Sequence, residues 1–274
     1  MLPLELFVVA VLGTIVGSFL NVCILRLHTG RSTSGRSGCM CCGAQLTWKE
    51  LIPVFSFFMQ RGRCISCGSR ISHQYWLVEL VTAILFVLVW FQHMPLLETL
   101  LGWALVSTLV IIAIYDIKHT IVPNGAVYTF IAIAGFAHIP ILGTLTPAEL
   151  PTYFLFVIVS GLLVALPLFL LWFLSRGRWM GFGDVKLSLG FGLALGAYDG
   201  LMALLFGFVI GAFVGVSLIW LQKVIKRLPL STHTAHLTMS SEIPFAPFLI
   251  TGFFLVWFFD ADLIALIELF YEYI

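Results

Sequence analysis

Two carboxylates at the edges of apolar runs are the residues of this chain best placed to do chemistry. Asp116 closes one run, in Tyr115-Asp-Ile-Lys-His-Thr-Ile-Val-Pro123, and Asp184 opens another, in Gly181-Phe-Gly-Asp-Val-Lys-Leu187. An ionisable side chain costs about 2.5–3.5 kcal/mol at mid-bilayer on insertion scales, so one retained there marks a function. Two carboxyls sharing a proton can activate water and protonate a leaving amine, as aspartic proteases do. The glycines before Asp184 would let an extended substrate backbone lie close to it. Taken singly, each aspartate also reads as a helix-end residue, Asp184 as an N-cap with lysines balancing its charge. The helix ends also rank the pair. Asp116 sits at a C-terminus, where the dipole disfavours a carboxylate, and Asp184 at an N-terminus, where free N–H groups stabilise one. The expectation is an ionised Asp184 as base and a protonated Asp116, unless Lys118 or Lys186 reverses the order.

The second constellation is made of sulfur. Five of the six cysteines lie between Arg26 and Gln74, and Cys39-x-x-Cys42 and Cys64-x-x-Cys67 have the paired spacing of a tetrahedral zinc site. Each tight turn would present two thiolates to one ion, and Gly43 and Gly68, just past each pair, suit such turns. Four thiolates leave no open position for water, so the zinc is expected to be structural and to supply much of the folding energy of a short segment. Cys41 is an alternative ligand to Cys39 or Cys42 by spacing alone. Cys23 reads as a packed apolar thiol.

Other groups carry less. Glu79, inside an apolar run, reads as a positioning residue, and His119, one helical turn beyond Asp116, as an interfacial histidine able to tune it. No His-Glu-x-x-His and no Gly-x-Ser-x-Gly occurs, which removes the zincin and serine-elbow schemes.

The elements that must position these residues are membrane helices. Apolar residues make up 61% of the 274 and charged residues 10%, with a mean hydropathy of +1.08. That leaves too little polar surface for a water-soluble globule. Eight apolar stretches can be drawn: Leu4–Leu25, Tyr75–Phe91, Leu96–Tyr115, Ala126–Leu142, Tyr153–Leu174, Leu187–Ala197, Leu201–Leu221 and Pro244–Phe259. The sixth is short for about 30 Å of hydrocarbon. All 14 Lys and Arg fall in the connections after the first, third, fifth and seventh stretches. Those connections are therefore expected in the cytoplasm and both termini outside. Leu4–Leu25 reads as a retained anchor. The division is a first helix (1–25), a cytoplasmic zinc-binding loop domain (26–74) and a seven-helix core (75–274). The class is thus all-α and polytopic, and a net charge of +1 gives no argument for nucleic acid. Glycines at helical spacing (Gly192 and Gly196; Gly207, Gly211 and Gly215) read as close helix packing.

Together these motifs resemble a known family. Gly17-Ser-Phe-Leu-Asn-Val22 with Arg26-Leu27, the four-cysteine loop enclosing Trp48-Lys-Glu-Leu-Ile-Pro-Val-Phe-Ser-Phe57, Asp116 with Val122-Pro123, the Gly181-Phe-Gly-Asp184-Val-Lys186 box and Ile243-Pro-Phe-Ala-Pro-Phe248 resemble the bacterial prepilin peptidases, in order and over nearly the whole chain. The box is also similar to that of GxGD-type intramembrane aspartyl proteases such as presenilins. The resemblance implies a bacterial inner-membrane enzyme with Asp116 and Asp184 as the catalytic pair at the cytoplasmic face. Its substrates would be type IV prepilins or type II secretion pseudopilins, losing a basic leader. Members with the cysteine loop also N-methylate the new terminus with S-adenosylmethionine, for which no binding residue stands out here. Departures are His28 in place of a usual Pro, Phe182 at the variable position and Asn124 where an acid often stands. The rival reading is a proton- or cation-coupled transporter using the same aspartates, against which stand their position near one face and the lack of an inverted repeat.

Overall fold

The structure is a computed structural model that describes residues 3–29, 32, 34–226 and 244–262, with the backbone alone for 222–226. Lys223, Lys226, Arg227, His233, His236, Ile243, Glu268 and Glu272 therefore lie outside the described side chains. The described elements are helical: α1 (Pro3–Arg26), α2 (Phe55–Met59), α3 (Gln74–Phe91), α4 (Leu96–His119), α5 (Asn124–Phe136), α6 (Ile139–Leu142), α7 (Leu150–Ser175), α8 (Phe182–Leu195), α9 (Ala197–Lys226) and α10 (Ala246–Phe259), with a 3₁₀ turn at Trp48–Leu51.

Each apolar stretch drawn from the sequence is largely helical, the fourth broken between α5 and α6, the sixth interrupted at Gly196 and the eighth starting two residues before α10. Among the described residues six helical segments are long and apolar enough to cross a bilayer: α1, α3, α4, α5 with α6 (Asn124–Leu142), α7, and α9 through Leu221. The chain is a multi-pass membrane protein. The 14-residue helices α8 and α10 reach only about 21 Å at 1.5 Å per residue. The sixth stretch is helical from Phe182, five residues before Leu187, because Gly181 takes an extended N-cap conformation there (ψ 147°). It stops at Leu195, because Gly196 adopts φ +87°. Gly196 is thus a turn residue and not the packing glycine expected from its spacing.

The chain forms two compact units, residues 1–111 and 112–274. In the first, α1 packs along α3 at backbone distance. A Cβ on Gly13 would lie 2.6 Å from Ala83 Cα, and one on Gly17 2.7 Å from Glu79 Cα. Small residues at this spacing let helices approach closely in lipid, where association depends on packing. The Asn21 amide, buried in the same seam, donates to the Tyr75 carbonyl at 3.0 Å. Trp103 of α4 stacks on Phe86 of α3, ring centroids 5.1 Å apart.

In the second unit α8 packs on α5, α7 and α9, and α9 on α10. Gly192 of α8 abuts Ser160 and Gly161 of α7, and a Cβ on Gly207 of α9 would lie 2.8 Å from Leu249 Cα of α10. A Cβ on Gly215 would meet nothing among the described residues, so there the packing reading holds for part of its stripe. Phe130, Phe191 and Phe253, all fully buried, meet edge-on or tilted where α5, α8 and α10 converge. His138 bridges the Tyr153 hydroxyl and the Leu193 carbonyl, each at 2.7 Å.

Candidate active site

Asp116 and Asp184 both lie in the second unit and both are buried, 4% and 7% exposed. Asp116 occupies the last turn of α4. Its Oδ2 accepts the backbone N–H of Ala246, the first residue of α10, at 3.1 Å. A helix N-terminus carries N–H groups that no helical carbonyl reaches, so the carboxyl meets a ready donor. Asp184 is the third residue of α8, and the N-cap is Gly181. Asp184 is therefore not the N-cap that the apolar pattern suggested. Its Oδ1 is fully buried and finds no hydrogen-bond partner among the described residues. The charge of Asp116 is felt at Asp184, so the two carboxyls form an interacting pair.

The glycines of the box do different things. A Cβ on Gly181 would meet no side chain among the described residues, the nearest atom being the Gly183 nitrogen at 3.9 Å. A Cβ on Gly183 would lie 2.6 Å from Val122 Cβ. Protein, and not substrate, fills the space beside Gly183. The Val122-Pro123 step thus has a physical role: Val122 seats α8 and Pro123 caps α5 in extended conformation.

Lys186 and His119 have partners of their own. Lys186 donates from Nζ to Asn124 Oδ1 at 2.5 Å and lies over the Tyr128 and Phe182 rings, 5.2 and 5.4 Å from their centroids. Lys118 is exposed, and the exposed His119 stacks on Tyr115 with centroids 4.4 Å apart. In the first unit Glu79 is buried and accepts the backbone N–H of Val54 at 2.6 Å and a hydrogen bond from Ser18. It ties the cysteine loop to α3 and α1.

The sulfurs of Cys39, Cys42, Cys64 and Cys67 all lie within 4.8 Å of one another, Cys39 and Cys67 at 3.9 Å. A tetrahedral zinc with Zn–S of about 2.3 Å needs sulfurs roughly 3.8 Å apart, so the cluster fits such an ion. Two matched turns build it. Gly43 donates to the Cys39 carbonyl and Gly68 to the Cys64 carbonyl, each at 2.9 Å, with φ of +72° and +71°. Bridges between Gly38 and Gln45 and between Arg63 and Arg70 close the two hairpins. Backbone N–H groups of Cys42 and Cys41 and the Ser69 hydroxyl hold the Cys39 thiol down at about 6, ready as a thiolate ligand. The Ala44 amide favours the Cys42 thiolate, but the Cys39 and Cys67 sulfurs outweigh it and push that thiol up to about 11. A bound dication would relieve this crowding. Cys41 lies outside the cluster, and its amide donates to Cys39 Sγ at 3.4 Å. Reading the sequence missed Ser69 and the Ala246 amide; the Cys-x-Ser step at Cys67 was the only local signal for the first.

Comparison with known proteins agrees along the chain. Residues 11–93 match the bacterial peptidase A24 N-terminal domain and residues 103–216 the type IV leader peptidase family. The prepilin leader peptidase/N-methyltransferase of Bacillus subtilis (strain 168) is 31% identical over 266 residues, covering 95% of this chain and 96% of that one. The Vibrio cholerae protein of the same name is 27% identical over 205 residues, 70% and 78% of the two chains. The Myxococcus xanthus protein of that name is 43% identical over 122 residues, 44% and 36% of the two chains. No solved structure matches significantly. The transporter reading finds no support in these relatives. With two adjoining family domains in this order and a relative matched from end to end, the chain belongs to the type IV leader peptidase family.

Proposed function

We propose that this protein is a membrane aspartic endopeptidase that removes the basic leader of type IV prepilins or type II secretion pseudopilins, with Asp116 and Asp184 as its catalytic pair. The observation that carries the assignment is that these two are the buried carboxyls among the described residues of the second unit and that they interact. Peptide hydrolysis needs a base for water and an acid for the carbonyl. The hydrogen bonds assign them. The Ala246 N–H donates to Asp116, which suits an ionised carboxylate, whereas the partnerless Oδ1 of Asp184 suits a carboxylic acid. Asp116 takes a proton as the water oxygen attacks the scissile carbon, and Asp184 gives its proton to the carbonyl oxygen. On collapse Asp116 returns a proton to the leaving amine, and Asp184 recovers one from the tetrahedral hydroxyl. This reverses the ranking from each aspartate's own helix end, because α10 supplies a second helix N-terminus at Asp116.

The cysteine cluster holds a structural zinc through Cys39, Cys42, Cys64 and Cys67, with the Ser69 hydroxyl hydrogen-bonded to the Cys39 and Cys67 sulfurs. When bound, the ion stabilises the fold of the loop. The N-methylation in the relatives' names extends to this chain as a second activity, with S-adenosylmethionine as donor; no described residues mark its site, and no step is assigned to it. The basic connections lie in the cytoplasm of a bacterium, the termini outside, and eight apolar helical segments lie in the inner membrane, six of them long enough to cross it alone, with the aspartates at the cytoplasmic face. The test is cleavage of a prepilin by the protein reconstituted in vesicles. Asp116→Asn and Asp184→Asn should each lower turnover at least about 10²-fold with insertion intact, since each removes one proton role. Near wild-type turnover in either variant refutes the pair.

A further inference from the structure

The segment Trp48–Met59 of the cysteine loop exposes six large apolar side chains: Trp48, Leu51, Ile52, Phe55, Phe58 and Met59. Trp48 is 71%, Phe55 69% and Met59 73% exposed, yet none lies on a membrane-spanning helix. Scattered exposed leucines need no explanation, but six large exposed residues within twelve consecutive positions call for a cover. Their spacing (48, 51, 52, 55, 58, 59) is that of one helix face, although the backbone interrupts it at Val54, which takes φ +62°.

We infer that this segment is an interfacial element that inserts its apolar side chains into the anionic leaflet of the bilayer that the chain itself spans. Three observations select this occupant. First, depth: Glu79, five residues into α3, holds the Val54 amide, so the segment is fixed about 7.5 Å along α3 from its start at Gln74. Interfacial helices bury their apolar face about 5–10 Å into the headgroup and acyl boundary, which is the same depth. Second, charge: residues 26–70 hold seven Lys and Arg against the single acid Glu50. Lys49, Arg61 and Arg63 stand exposed at the flanks of the patch, where anionic headgroups would be. Third, residue type: Lys49 Nζ lies 5.6 Å from the Trp48 ring, a pairing of basic and aromatic residues suited to the water–lipid boundary. Under the proposed function a basic leader would be repelled by this charge, so the leader is not the cover.

The test uses the full chain in nanodiscs, with a spin label introduced at position 55 through a noncanonical amino acid so that all cysteines remain. Nanodiscs of phosphatidylcholine alone are compared with ones containing one-third phosphatidylglycerol. In the mixed bilayer the label should be reached by oxygen and shielded from a water-soluble nickel chelate. Lys49→Gln, Arg61→Gln and Arg63→Gln should each lower the docked-to-undocked ratio roughly five-fold. High salt should weaken docking of the unaltered chain in the same direction, which needs no variant that must fold. A label open to nickel in both bilayers overturns the proposal. So does shielding that is equal in both bilayers and indifferent to salt and charge, because the cover would then be protein.

Discussion

Gly183→Ala is the sharpest test of how α8 is seated. The added Cβ would lie 2.6 Å from Val122 Cβ and 3.1 and 3.2 Å from its two methyls, so either the helix or the Val122 loop must shift. Overpacking of this kind costs about 1–3 kcal/mol. Alanine in place of glycine within a helix returns about 1 kcal/mol, so net stability should fall by no more than about 2 kcal/mol. Activity should fall much further. Asp184 is the next residue, and a misplacement of about 1 Å can cost roughly 10²-fold in rate. The assay is prepilin cleavage alongside thermal unfolding of the same purified samples. Because the closest atom is a Cβ, Val122→Ala leaves the clash in place, whereas Val122→Gly removes it. Gly183→Ala with Val122→Gly should therefore be more active than the product of the two single losses predicts. Wild-type turnover in Gly183→Ala, or strict additivity in the double variant, refutes the contact as the reason for glycine at this position.

Elemental analysis should find about one zinc per chain, and Cys64→Ser with Cys67→Ser should remove it; full occupancy in that variant would mean that other ligands hold the ion. In metal-stripped protein, Cys39 should stay a thiolate as pH falls from its ordinary value near 9 and protonate only through about 6, because the Cys42 and Cys41 amides and Ser69 hold it down. Its contribution to loop stability is then fully present above about 9 and lost as pH drops through about 6. Site-resolved alkylation against pH follows this, and Ser69→Ala should move the midpoint upward. Glu79→Leu leaves the Val54 amide without its acceptor, at a cost of about 1–3 kcal/mol. It should speed proteolysis within residues 48–59, and an unchanged cleavage rate there would remove Glu79 as the anchor.

Much of the architecture was legible because lipid imposes one rule per helix. A run of apolar residues must become a helix to satisfy its own backbone, so Leu4–Leu25 or Tyr153–Leu174 needed no knowledge of neighbours. The cysteine spacing was equally local, since each Cys-x-x-Cys turn closes on its own carbonyls. Positions whose structure depends on distant chain were read less well. Phe182–Lys186 carries too many polar residues to extend an apolar run, yet it is helical, because Gly181 caps it and Val122 packs against it from some sixty residues earlier. The glycine stripe in α9 shows the same divide: Gly207 meets Leu249, whereas Gly215 meets nothing among the described residues, and spacing alone treats them alike.

The aspartates carry this argument into the chemistry. Each can be ranked from its own helix end, and that ranking places the proton on Asp116. The ranking treats the dipole of the residue's own helix as the nearest field. In the fold, however, the donor at Asp116 is the Ala246 amide, 130 residues away along the chain, from a helix too short to span the bilayer alone. A 14-residue α10 can start at the depth of Asp116, with its unpaired N–H groups where the carboxyl is, in a way that a full-length span starting at the membrane surface could not. The shortness of α10 and the buried proton acceptor at Asp116 are then two aspects of one arrangement. The Pro-Phe-Ala-Pro segment at 244–247 acquires a chemical role from it. Pro247, at the second helical position, lacks an N–H and so leaves the Ala246 amide as the donor of that first turn aimed at Asp116.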